Sequence, residues 1–247
     1  MINNIYIKFL SIIINIIDSF NKKKIINFFK KNFTNKKLII VDIGAHKGET
    51  IDTFIKNFDL EKIFAFEPNS MLFKDLINKK KFQKELIEIN NLGVEEKSEI
   101  KELNIMRETS SSTFNELNLN NRYYDRKNFI INMFSSKKKL VERKQRIEII
   151  NLSHFIKKKK IGKIDLLKID TEGYEYKILK GLEKTSLDNI DFIYFEHHYD
   201  LMIKKNYKFT DINDFLIKNN FFQVFKIKMY FRNTFEYIYK NLKKTIN

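Results

Sequence analysis

The sequence contains no cysteine and no tryptophan, and it has only one proline and six glycines in 247 residues. The absence of cysteine excludes disulfides, thiolate zinc sites and cysteine nucleophiles. Few glycines means that each one marks a position where the backbone needs unusual freedom or a close neighbour. Gly44 and Gly48 form one such pair. Gly173 and Gly181 form another, in the segment that also contains the acids Asp170 and Glu172.

Long hydrophobic runs are also missing. The longest apolar stretch near the start is "FLSIIINII" (9–17), and its length is about half of the ~20 residues that a membrane span requires. We expect residues 5–30 to form one or two amphipathic helices within an N-terminal helical extension, residues 1–35. These helices either pack on the domain or rest on a membrane surface with Lys22–Lys24 towards lipid headgroups. The chain is expected to be cytoplasmic, either soluble or peripheral at the inner membrane surface.

Acidic residues are too few to balance the basic ones, and the net charge is +16. Such a charge attracts nucleic acid, anionic membranes or polyanionic glycans. The lysine runs are spread along the chain, at 22–24, 79–81, 137–139 and 157–160. The chain is also rich in Lys, Asn and Ile, as expected from an AT-rich coding sequence. This distribution favours a solvated surface over a dedicated nucleic-acid site.

From residue 37 onwards, short apolar runs alternate with segments of helical period. The apolar runs predict strands at 37–44, 62–68, 86–94, 163–170 and 191–198, with helices at 49–58, 70–80 and 173–184 between them. This alternation predicts an α/β fold with a doubly wound, mostly parallel sheet over residues 36–247. The last two runs, 221–228 and 234–242, predict a terminal antiparallel hairpin. Residues 107–146 are polar and too long for an ordinary connection, so we interpret them as an insertion or lid.

The segment "VDIGAHKGE" (41–49) joins the first predicted strand to the first helix. A dinucleotide fingerprint would need glycines where His46 and Glu49 stand. The pattern D-x-G-x-x-x-G instead fits Rossmann-like enzymes that bind S-adenosylmethionine (SAM), with the loop against the amino-acid moiety and Glu67 on the ribose hydroxyls. Asn91 and Leu92 fall where adenine commonly lies, although a turn explains the same residues equally well. The predicted cofactor residues are Asp42, Gly44, Ala45, His46, Gly48, Glu67, Pro68, Asn91 and Leu92.

The ordered set "VDIGAHKGET", "FAFEP", "SSSTF", "IDLLKIDTEGYEYKILKG" and "FIYFEHH" resembles the FkbM family of SAM-dependent methyltransferases over about residues 36–200. The resemblance implies the class I methyltransferase fold: a seven-stranded sheet in the order 3-2-1-4-5-7-6, with helices on both faces and the last strand antiparallel. It also implies O-methylation, often of sugar hydroxyls. The acceptor is then expected to be a glycan, a glycolipid or a small natural product.

In that strand order, Asp170 ends the fourth strand and Glu196 approaches the end of the fifth. Both acids are therefore expected beside the cofactor, at the edge of the sheet where its winding reverses. Asp170, Glu196 and His197 are candidate bases, and Asp170 and Glu196 could instead hold Mg²⁺. Glu172 either caps the next helix or contacts the acceptor or a metal.

Two other functions remain open at this point. The first is a nucleotide-sugar oxidoreductase with a nicotinamide cofactor, which the missing glycines disfavour. The second is a basic, non-catalytic RNA-binding module on the same scaffold, which would show steeply salt-dependent RNA binding. The set of Asp42, Glu67 and Asp170 favours the methyltransferase over both.

Overall fold

The computed structural model describes residues 19–106, 112–115, 141–199, 203–229 and 233–244. The helices are α1 (19–32), α2 (Glu49–Asn57), α3 (Ser70–Ile77), α4 (Leu152–Lys158), α5 (Glu175–Lys180), α6 (Lys184–Asp188) and α7 (Phe209–Lys218). The strands are β1 (Leu38–Ile43), β2 (Leu60–Phe66), β3 (Ile87–Asn90), β4 (Gly93–Glu95), β5 (Glu99–Met106), β6 (Val141–Asn151), β7 (Ile164–Ile169), β8 (Ile190–His198), β9 (Phe221–Lys228) and β10 (Thr234–Asn241).

Seven strands form one sheet in the order β3-β2-β1-β7-β8-β10-β9. The first five are parallel, and β10 runs antiparallel to both β8 and β9. This order is the predicted 3-2-1-4-5-7-6, and the terminal hairpin is confirmed. The carboxyl ends of β1, β2 and β7 therefore meet at one edge of the sheet, where ligands bind in open α/β folds.

Continuous apolar runs form the central strands because these strands are covered on both faces. All six residues of β7 are buried. On one face, Leu166 and Phe192 pack against Phe29 of α1, and on the other face Leu167 and Ile193 pack against the helices that follow β6. Helix α1 thus belongs to the same core as the sheet, in line with the packing interpretation for this part of the N-terminal extension. Residues 1–18 lie outside the described chain.

Two predicted elements differ from the structure. The run 86–94 was predicted as one strand, but it divides into β3, in the main sheet, and β4, in a second sheet of order β4-β6-β5. The predicted helix at 173–184 divides into α5 and α6, because the chain turns at Gly181 and passes so close to Glu96 that a Cβ at Gly181 would lie 2.7 Å from the Glu96 Cα.

The predicted insertion at 107–146 overlaps the beginning of β6, which pairs with β5 in the second sheet. Residues 107–111 and 116–140 lie outside the described chain. Within the part that the structure describes, no helix is both long enough and apolar enough to cross a membrane.

Candidate active site

The loop after β1 has three residues in the left-handed region: Gly44 (φ 86°), His46 (φ 49°) and Gly48 (φ 83°). A Cβ on Gly44 would lie 1.9 Å from the backbone oxygen of Asp170. Only glycine combines this φ angle with so close an approach. Gly44 thus lets the loop lie directly against the end of β7, which brings the glycine motif and the acidic motif together.

Glu67 follows β2 and its carboxylate is directed back towards this loop. It accepts hydrogen bonds from the backbone N–H groups of His46 (2.7 Å) and Asn69 (2.8 Å). The residue is 5% exposed, and burial raises its pKa to about 7 despite the two hydrogen bonds. A carboxylate has more acceptor sites than these two donors fill, so Glu67 can also accept from the hydroxyls of a ligand.

A cavity of about 580 Å³ opens between the glycine loop, the end of β7 and the second sheet. Its lining residues are Ile43, Gly44, His46, Phe66, Glu67, Pro68, Leu92, Gly93, Val94, Leu103, Ser112, Phe114, Asp170, Thr171, Glu172 and Tyr174. Apolar walls with a few convergent polar groups are typical of cofactor pockets.

One buried polar group supports a ligand at this position. The hydroxyl of Thr171, which lines the cavity, has no hydrogen-bond partner among the described residues. Buried polar groups normally have partners, so this hydroxyl fits a polar molecule such as SAM in the cavity. The Asp42 carboxylate behind the loop is paired with Lys168, and burial raises its pKa to about 6.

The predicted cofactor residues fall into three groups. Gly44, His46, Glu67, Pro68 and Leu92 line the cavity. Asp42, Ala45 and Gly48 lie in the β1 strand and loop that support it: the N–H of Ala45 donates to Phe66 O, and the N–H of Gly48 donates to Ala45 O.

Asn91 forms the third group, because its amide is already occupied. It donates to the backbone oxygens of Glu67 (2.9 Å) and Pro68 (3.0 Å) and accepts from the Ser70 hydroxyl (2.7 Å). Asn91 thus ties the connection between β3 and β4 to the segment after β2 and has no amide hydrogen left for adenine. Ser112 is a polar residue that does line the cavity.

Asp170 is at the junction between the cavity and a buried charge cluster. The ammonium of Lys168 lies 3.1 Å from an Asp170 oxygen and 3.7 Å from an Asp42 oxygen. Burial alone would lower the pKa of Lys168, but the two carboxylates raise it above its ordinary value. Burial would also raise the pKa of Asp170, but Lys168 outweighs it and the pKa is lowered. Asp170 is therefore ionised at neutral pH.

Glu196 lies next to Asp170, as the predicted strand order requires. Burial and then the negative charge of Asp170 raise the pKa of Glu196 well above its usual range, while a hydrogen bond from Glu196 helps to lower that of Asp170. The two acids share a site in which only one is readily ionised. Glu196 thus keeps its proton to a higher pH than Asp170 does.

Glu172 lies in a left-handed conformation (φ 50°) directly before Gly173 (φ 94°). Helix α5 begins only at Glu175, and it is the Glu175 carboxylate that accepts the N–H of Gly173 (2.8 Å). Glu172 therefore does not cap this helix, whose N-cap is Tyr174 and has no side-chain cap hydrogen bond. Glu172 instead lines the cavity, and its carboxylate lies 3.4 Å from Nε2 of His198.

The strained turn at 172–173 is held by the serine- and threonine-rich segment. The hydroxyl of Thr113 donates to Glu172 O (3.0 Å), and the amide of Asn115 donates to Gly173 O (2.9 Å). Strained backbone that the surroundings hold in this way is common at functional sites. The segment that resembled the family's serine-rich stretch therefore orients Glu172.

The two neighbouring histidines of β8 require a correction. Successive strand residues point to opposite faces, so His197 lies on the face away from Glu196, buried against the rings of Tyr199, Tyr207 and Phe209. The histidine beside the acids is His198. Its Nε2 is 3.8 Å from Glu196, and its Nδ1 is 3.1 Å from the Thr234 hydroxyl.

Lys168 is the main site residue that sequence reasoning missed. Its position two residues before Asp170 on a strand, and therefore on the same face, was a usable signal. Among the described residues, no group of three or more His, Asp or Glu side chains is arranged to hold a metal ion.

Comparison with known proteins identifies the family. A profile of the methyltransferase FkbM domain matches residues 42–224. No curated protein sequence matches the chain.

Three solved methyltransferases are similar in structure to this chain. The crystal structure of methyltransferase FkbM from Methylobacillus flagellatus aligns with 82% of this chain and 44% of its own, at 14% identity and a TM-score of 0.51. This chain thus spans less than half the length of that protein. TrmK of M. capricolum with bound S-adenosyl-homocysteine aligns over 87% and 67% (14% identity, TM-score 0.47). Magnesium protoporphyrin IX methyltransferase of Synechocystis aligns over 92% and 83% (8% identity, TM-score 0.48).

The first of these structures supports the fold, and the profile, which covers most of the chain, shows the family. The glycine loop, Glu67 and the Asp170 turn all lie inside the matched residues. The protein belongs to the FkbM family of SAM-dependent methyltransferases.

Proposed function

We propose that this protein transfers the methyl group of SAM to a hydroxyl oxygen of a glycan, a glycolipid or a small natural product. The observation that carries the proposal is one continuous cavity. It runs from Glu67 and the glycine loop at one end to Asp170 and Glu172 at the other.

The Glu67 end fits the nucleoside part of SAM. Glu67 would accept hydrogen bonds from the ribose hydroxyls, and Leu92 and Phe114 would pack against adenine. The Gly44–Gly48 loop would face the amino-acid part, which can approach the backbone closely because glycine carries no Cβ. When bound, SAM supplies a methyl group that its sulfonium makes electrophilic, so the protein has chiefly to align the acceptor and remove its proton.

The Asp170 end fits that task. Lys168 keeps Asp170 ionised. The negative charge of Asp170 at the cavity wall would then stabilise a neighbouring cation and orient a hydroxyl. Glu172 is our candidate for the general base that takes the hydroxyl proton as the oxygen is methylated. His198 contacts Glu172 and is a positioning residue. Glu196 keeps its own proton and is less suited to the role of base.

The acceptor class follows from the charge of this end. Asp170 and Glu172 line the cavity, with the buried Glu236 and the partly buried Glu196 close by. Carboxylates hydrogen-bond neutral hydroxyls but repel phosphates. The reaction centre is therefore better suited to a sugar hydroxyl than to a phosphate-rich segment of RNA.

A magnesium ion on Asp170 and Glu196 was the alternative at sequence level. The Lys168 ammonium, 3.1 Å from Asp170, already supplies a cation there, and a protonated Glu196 is a poor ligand for a hard cation. We therefore favour catalysis through the residues themselves. Activity that EDTA abolishes and Mg²⁺ restores would favour the metal.

The proposal is tested by incubating the protein with methyl-labelled SAM and separated glycan, glycolipid and RNA fractions. Label should appear at hydroxyl oxygens of glycan or glycolipid. Glu172→Gln should lower turnover by ~10²–10⁴-fold, as for loss of a general base, with SAM affinity nearly unchanged. Glu183→Gln, at an exposed acid of the same chain segment, is the matched control. Label in RNA, or full activity of Glu172→Gln, would contradict the proposal.

A further inference from the structure

Helix α1 has two faces of sharply different chemistry. Its inner face is buried and includes Ile25 and Phe29, which pack on the sheet. Its outward face consists of residues that recur at helical spacing and are exposed to solvent. We call this set the α1 stripe: Phe20, Lys23, Lys24, Asn27, Lys30 and Lys31.

The positive charge of the α1 stripe is not compensated within the described chain. Residues 19–32 contain five lysines and no acid, and none of the four stripe lysines forms an ion pair with a described residue. Elsewhere exposed lysines do pair with acids, as Lys157 does with Glu183 at 2.6 Å. Four unpaired lysines on one helix face make a surface complementary to an anionic partner.

The stripe also has an apolar component. Phe20 is 56% exposed, although its ring is large and apolar. It lies just after residues 1–18, whose sequence holds the apolar run 9–17 and only two charged side chains, Lys8 and Asp18. Basic residues with exposed aromatic and aliphatic ones are the combination that binds helices to lipid interfaces. A nucleic acid would pair with the lysines but would not bury the apolar groups.

We propose that the α1 stripe docks the protein on the surface of an anionic lipid bilayer. The start of α1 lies beside the acidic end of the cavity: Asn21 donates to the Lys228 backbone oxygen at 3.1 Å, and Lys22 lies within electrostatic range of Glu236. Glu236 in turn lies opposite Glu196 in the β8–β10 register. If the proposed function holds, docking would bring the acceptor end of the cavity towards a lipid-linked acceptor.

The test is vesicle co-sedimentation of the full-length protein without SAM, so that its outcome is independent of methyl transfer. The vesicles are phosphatidylcholine alone or mixed with phosphatidylglycerol. The test variant changes the four stripe lysines to glutamine. The matched control changes four exposed lysines elsewhere, Lys56, Lys84, Lys97 and Lys158, to glutamine and so removes the same net charge.

Wild type and control should bind the anionic vesicles, and the stripe variant should bind on the order of 10²-fold or more weakly, since each lysine near such a surface contributes about a factor of five. Binding should weaken at high salt, and Phe20→Ser should weaken it further at any salt concentration. Equal loss in the stripe and control variants would assign the effect to net charge and overturn the proposal. So would absence of wild-type binding to anionic vesicles, or binding to single-stranded RNA in preference to them.

Discussion

The raised pKa of Glu67 makes a prediction that links stability to cofactor binding. Burial moves this pKa from 4.5 to about 7. A carboxyl whose pKa is higher in the folded state favours folding less and less as pH rises, because the unfolded chain releases its proton first. Between pH 5 and pH 8 this single group should reduce the free energy of unfolding by about 2.5 kcal/mol.

Glu67→Gln removes that titration and nearly preserves the shape of the side chain. The free energy of unfolding of the variant minus that of wild type should therefore rise by about 2.5 kcal/mol from pH 5 to pH 8. The difference in unfolding free energy at pH 5 reflects the backbone hydrogen bond that the glutamine amide cannot accept. SAM affinity should fall by about 10- to 100-fold, because a charged acceptor for the ribose hydroxyls is lost.

Urea denaturation at several pH values and calorimetric titration of SAM measure the two effects. A difference in unfolding free energy that stays constant across pH would refute the assigned pKa. Unchanged SAM affinity in the folded variant would refute the ribose contact.

Four further variants separate the roles of the charge cluster and its neighbours. Asp170→Asn should lower kcat by on the order of 10²-fold or more while changing SAM affinity far less, because its charge acts on the reaction; equal losses in both would contradict this. Lys168→Met should lower the free energy of unfolding by ~3–5 kcal/mol at pH 8, as when one partner of a buried pair is removed. The loss should be smaller at pH 5, where Asp42 is protonated. A loss of unfolding free energy that does not depend on pH would argue against the ion pairs. His198→Gln should lower turnover on the order of tenfold or more with little effect on SAM affinity, whereas His197→Gln should lower stability and spare turnover; the reverse pattern would restore His197 as the base.

The sheet was predictable because its central strands are nearly continuous apolar runs, and the strand order followed from the family resemblance. The division of 86–94 was only partly predictable. Asn90 and Asn91 allow the chain to turn there, but the second half of the run pairs with Ile149 and its neighbours, more than fifty residues later. Pairing at that distance leaves no local pattern in the sequence.

The site was predictable where a residue type has few structural alternatives. Gly44 and Glu67 are of this kind, and both line the cavity. The face of each histidine in β8 was predictable as well: once Glu196 is placed beside Asp170, the two-residue period of a strand puts His198, and not His197, on the same face. The left-handed turn at Glu172 is held by hydrogen bonds from Thr113 and Asn115. The sequence around Glu172 contains no pattern that predicts these hydrogen bonds.

The central claim is that the cavity between Glu67 and Glu172 binds SAM with its reactive end towards Asp170. A crystal structure of the protein with S-adenosyl-homocysteine tests it most directly. We predict that the ribose hydroxyls contact the Glu67 carboxylate, that adenine lies against Leu92 and Phe114, and that the sulfur faces Asp170 and Glu172. Binding elsewhere, or with the sulfur directed away from these two acids, would contradict the account.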